Sequence, residues 1–171
     1  MDASNFAPSA ADDVLQIGGL PLHPLIVHAV VVLTPLTVLA LLLGTFWPAA
    51  RRRLGIVTPL AALVVLVLVP ITVAAGLSLA SALGPLPAVE RHRGFGEMLL
   101  PWAIGLFVVA AAQWAWFRSY DERMRRGSPR AARAVVIVLA AASVVVGAGT
   151  LVLTVLIGDS GARAVWGGLL G

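Results

Sequence analysis

The chain has 171 residues, 60% of them hydrophobic and 12% charged, with all twelve of its basic residues arginine and no cysteine. Four uncharged runs occupy more than half of it, which leaves no room for a soluble catalytic domain and points to a single membrane domain. The lack of cysteine excludes disulfides, cysteine-held iron–sulfur clusters and thiol catalysis. The net charge of +4 follows the spacing of the apolar runs and does not mark a nucleic-acid binder.

Residues 1–20 read as a short acidic tail outside the membrane. No basic stretch precedes the first apolar run, so no cleaved signal peptide is expected. The rest, 21–171, reads as the membrane domain. Its first span covers about 24–47, where Pro24 suits a first helical turn because its missing N–H would be unpaired there anyway. Pro35 should kink this span, and Trp47 and Pro48 mark its end. The second span covers about 54–83 and contains Pro59 and Pro70. Gly84-Pro85-Leu86-Pro87 breaks it.

Gly84–Glu97 then reads as the longest outer connection, holding Glu90, Arg91, His92, Arg93 and Glu97. The third span covers about 98–117 and runs into an aromatic belt of Trp114, Trp116 and Tyr120. Arg118–Arg133 reads as an inner loop. The fourth span covers about 134–158. Ala140, Ser143 and Gly147 share one of its faces, a spacing that lets two helix backbones approach closely. Gly158 and Gly161 are expected to end it, with Trp166 as an interfacial anchor.

Each run is long enough to cross a bilayer core at 1.5 Å per residue, which needs about 20 residues. Nine of the twelve arginines fall in the connections at 51–53 and 118–133. The positive-inside rule puts those connections in the bacterial cytoplasm and both termini outside the inner membrane. Four spans with short connections predict an all-α, antiparallel transmembrane bundle. Such threading gathers the start of the first span, the approach to the third and the exit of the fourth into one outer layer.

That layer holds His23, His28, His92, Arg93, Glu97, Asp159, Ser160 and Arg163. His28 lies clearly inside a span and is the leading candidate ligand. His23 and His28 are five apart, about 140° around a helix, and cannot grip one ion together. Three chemistries stay open. Haem b could take His28 and His92 as axial ligands, with Met98 as an alternative. A divalent metal ion could take His23 or His28 with His92, Glu97 and Asp159 in a nitrogen–oxygen shell. Histidines and carboxylates could also relay protons. Against all three stands a structural reading, in which Arg93 with Glu97 and Asp159 with Arg163 form ordinary pairs four residues apart. No hydrolase, zinc-protease or phosphate-loop pattern occurs, so no catalytic residue is assigned. The inner arginines call for anionic lipid.

Two stretches carry a family resemblance: Gly19-Leu20-Pro21-Leu22-His23-Pro24-Leu25-Ile26-Val27-His28 and Gly158-Asp159-Ser160-Gly161-Ala162-Arg163-Ala164-Val165-Trp166. They resemble domain-of-unknown-function family 2231, over about Gly19 to Trp166. His92 fits the family's third-helix histidine. Where the family often has a histidine after the glycine of the closing motif, this chain has Asp159. Some members are joined to Rieske-type iron–sulfur domains or cytochrome-like modules, so the resemblance implies electron transfer near such a partner. This chain carries no Rieske ligands and would need a separate one.

Overall fold

The computed structural model describes residues 16–83 and 86–167. The acidic residues expected in the leading tail, Asp2, Asp12 and Asp13, and the break at Gly84-Pro85 lie outside the described residues. The described chain opens on a small hairpin, β1 (Gln16–Ile17) paired antiparallel with β2 (Leu20–Pro21). Gly18 and Gly19 form its turn with φ of 60° and 78°. Two successive residues in the left-handed region are what a two-residue hairpin turn needs, and glycine adopts them without a Cβ penalty.

Helix α1 (Leu22–Phe46) follows at once. A short α2 (Pro48–Leu54) carries Arg51–Arg53 and ends at Gly55, whose φ of 45° turns the chain into α3 (Val57–Leu83). Helix α4 spans Pro87–Ala115. It continues through one π-helical turn, Trp116–Tyr120, into α5 (Asp121–Gly127). Ser128 breaks the run, and α6 spans Pro129–Trp166. Four of these helical stretches, at 22–46, 57–81, 87–127 and 129–166, are long and apolar enough to cross a membrane. The protein is an all-α transmembrane bundle.

Much of two connections expected from the sequence is helical instead, and the fourth span runs past its expected end. Pro87 takes a first-turn position and Glu90 lies in the first turn, where a negative charge meets the positive end of the helix dipole. Helix α4 therefore starts ahead of His92, and residues 87–97 of the expected outer connection are helical. Arg125 pairs with Asp121 at 2.8 Å and Arg126 with Glu122 at 3.7 Å, one helical turn apart, so much of 118–133 is helical too. Helix α6 passes through Gly158 and Gly161 without stopping. Gly161 is needed there for close packing, described below.

Helices α1 and α4 each pack on α3 and α6, and face one another across the diagonal of the square. Neighbours around the square run antiparallel, so α1 and α4 run parallel. Two apolar cores stack along the axis. One, with Val30, Val69, Leu99 and Leu153, sits toward the start of α1. The other, with Val38, Leu41, Ala62 and Leu106, sits toward the arginine-rich end. The small-residue face of α6 serves packing, as its spacing suggests. A Cβ on Gly147 would come within 3.0 Å of Val38. The sharpest fit lies nearby, where the Trp102 ring fills the space over Gly149 and a Cβ would fall 1.9 Å from it.

At the arginine-rich end the Arg51 guanidinium caps α1. Its Nε donates to the Gly44 carbonyl at 2.6 Å and an Nη to the Thr45 carbonyl at 2.8 Å. Those carbonyls lie in the last turn of α1, which lacks helical N–H partners. The guanidinium also stacks over Phe117, 3.5 Å from the ring centre. Burial lowers its pKa from the ordinary arginine value; Asp121 opposes that shift and Arg125 adds to it. It stays charged at neutral pH.

Candidate functional site

The opposite end of the diagonal is closed by two imidazoles. His23, in the first turn of α1, donates from Nδ1 to the Thr72 carbonyl of α3 at 2.9 Å. His92, in the second turn of α4, donates from Nδ1 toward the Ile157 carbonyl and Ser160 Oγ of α6, at 3.1 and 3.2 Å. Ser160 Oγ itself donates to the Ile157 carbonyl at 3.1 Å. The two rings meet edge to face, 5.9 Å between centres and 86° between planes. All four spanning helices are thereby tied in one layer.

Glycine makes the approach of both rings to their neighbours feasible. A Cβ on Gly76 of α3 would sit 2.9 Å from Cε1 and Nδ1 of His23. One on Gly161 of α6 would sit 3.1 Å from Cε1 of His92. These contacts account for a glycine inside each helix, where glycine otherwise costs roughly 1 kcal/mol against alanine.

A carbonyl oxygen can only accept, so each Nδ1 bonded to one carries the proton. In the neutral form of a ring so bonded, the lone pair lies on Nε2. Metal-bound histidines show this arrangement, one nitrogen tied to a backbone carbonyl and the other turned to the ion. Both rings are half-buried.

The remaining candidates are distributed differently. The His28 ring is exposed on α1 and bonds through Nδ1 only to the Pro24 carbonyl in its own helix. It is not brought to His92, whose neighbour across the diagonal is His23. Met98 is exposed. Glu97 is held by Arg93 at 2.8 Å and Asp159 by Arg163 at 2.8 Å, both pairs on the surface. Among the described residues no group of three or more histidines, cysteines or carboxylates could hold a metal ion together. Glu97 and Asp159 therefore turn to arginines one helical turn away and are not gathered with the histidines.

A haem fits this layer poorly. The space over Gly76 and Gly161 is taken by the His23 and His92 rings themselves, which fixes the two rings against α3 and α6. The rings already touch across the gap.

Sequence reasoning assigned His23 a lesser role and passed over Thr72 and Gly76. Its position in the first turn of α1, five residues and about 140° from His28, was a usable signal. If His28 faces outward, His23 must face inward. The partners Thr72 and Gly76 depend on how α3 is set beside α1, which no local pattern encodes.

The fold and this layer define a four-helix integral membrane protein with a paired-imidazole site at one end. The chain belongs to the family described as Predicted membrane protein (DUF2231), which matches residues 19–171. Neither the curated proteins nor the solved structures give a match.

Proposed function

We propose that the protein is a multi-pass binding module of the bacterial cytoplasmic membrane, and that His23 and His92 together bind one metal ion at its outer face. The orientation draws support from nine arginines gathered at the opposite end of the bundle. The binding role draws support from one observation. Both imidazoles are anchored through Nδ1 to main-chain carbonyls of different helices in one layer, which in their neutral forms leaves Nε2 of each as the ligating atom. Zinc and copper ions favour imidazole nitrogen, and water would complete the shell.

An accessory redox role, with haem b beside a Rieske-type or cytochrome partner, has the family resemblance in its favour and the closed layer against it. Elemental analysis and equilibrium dialysis of the purified protein with zinc and copper ions separate the two. The metal reading expects one ion per chain, lost in His23→Ala and in His92→Ala and kept in His28→Ala. An ion that survives both of the first two substitutions, or no ion at all, refutes it. A Soret band on reconstitution with haem, abolished by His92→Ala, would put the redox reading in its place.

A further inference from the structure

A cleft of about 530 Å3 opens at the arginine-rich end, between α2, the start of α3 and the last turns of α4. Its walls include the apolar side chains Ile56, Trp114 and Phe117. Arg52 and Arg118 also line it. Arg125 and Arg126 are neutralised by Asp121 and Glu122 on their own helix. Among the described residues Arg52 and Arg118 pair with no carboxylate, so the cleft holds two uncompensated positive charges. Among the described residues Arg53, Arg123, Arg130 and Arg133 also pair with no carboxylate, but they do not line this cleft.

A third feature points the same way. Thr58 lines the cleft and is only 6% exposed as a residue. Its hydroxyl can donate a hydrogen bond to an acceptor bound there. Two guanidinium groups and a hydroxyl around one space suit a phosphate, whose oxygens accept from several donors at once.

The surroundings select the kind of phosphate. From Ile56 an exposed apolar strip continues along α3 through Leu60, Leu63, Val64 and Val67. These positions follow the i, i+4, i+7, i+8 spacing of one helix face, so the strip leads from the cleft along the membrane-spanning segment. A ligand that matches both parts has a phosphate head and a hydrocarbon tail.

We propose that this cleft binds the phosphate of one anionic phospholipid, with Arg52 and Arg118 as its charge partners, Thr58 as a hydrogen-bond donor and the α3 strip as the bed for an acyl chain. The test is native mass spectrometry of the full chain released from nanodiscs of phosphatidylglycerol mixed with phosphatidylethanolamine. One phosphatidylglycerol should be retained per chain. Neutralising both arginines (Arg52→Gln with Arg118→Gln) should weaken retention roughly twenty-five-fold, fivefold for each charge. The pair Arg53→Gln with Arg130→Gln removes the same charge from the same end outside the cleft and should change retention less than threefold, by about the diffuse surface attraction alone. Equal losses in the two double variants, or no preference for phosphatidylglycerol, would overturn the proposal. Release of the lipid by millimolar inorganic phosphate would overturn the lipid assignment in favour of a soluble phosphate. Circular dichroism of each variant confirms that the helices persist.

Discussion

The same diagonal, α1 to α4, is closed at both ends of the bundle, and the two closures differ in kind. At the arginine-rich end Gln113 of α4 donates from Nε2 to Thr45 Oγ1 of α1 at 2.6 Å, and Thr45 Oγ1 donates to the Leu41 carbonyl at 2.8 Å. At the other end His23 and His92 meet ring to ring, each bonded to a third and a fourth helix. The amide closure uses groups that keep the same charge and donors at every ordinary pH. The imidazole closure uses groups that can each take up a proton or a metal ion. One end holds the helices together in a fixed way, while the other ties them through two side chains that can titrate.

Acidity should separate the two ends most widely. Metal ligation requires neutral imidazole, so protons compete with the ion. Lowering the pH from 7.5 to 5.5, across the range in which imidazoles ordinarily protonate, should weaken zinc binding roughly ten- to hundredfold. Isothermal titration at the two pH values measures this. The amide closure gives no titration, so a pH-independent affinity would place the ion away from the histidines.

A matched pair of glycine substitutions comes next. Gly76→Ala puts a methyl group against the His23 ring and should disturb its bond to Thr72, weakening zinc binding about tenfold, as loss of an outer-shell partner does. Gly44→Ala sets a Cβ 3.1 Å from Gln113 Oε1 at the opposite end. It should lower the unfolding temperature and leave zinc affinity alone. If both variants bind zinc as the parent does, the rings do not hold the ion.

The smallest effect is expected of Gln113→Leu. It removes one interhelical hydrogen bond, worth about 1 kcal/mol within a membrane. Thermal unfolding in detergent should show that loss, with zinc affinity unchanged. A fall in affinity would mean that the two closures communicate along α1.

The spans were legible because bilayer thickness forces long apolar runs, and the arginine clusters mark which ends share a side. The extent of α4 was also encoded, in Pro87 at a first-turn position and in Arg93 and Glu97 one turn apart. Hydropathy hid this, because charges were read as the edge of the span. The pairing of His23 with His92 was harder to see. It depends on α1 and α4 being diagonal and parallel, and on the registers that place Gly76 and Gly161 beside the rings. The surface pairs Arg93 with Glu97 and Asp159 with Arg163 follow from spacing alone and were readable as such.

The β1–β2 hairpin has a mechanical consequence. Its second strand ends at Pro21, and Leu22 is the one residue between that strand and His23. A tug on the hairpin therefore reaches the imidazole with almost no slack to absorb it. Whatever grips the hairpin holds a short lever on the ring.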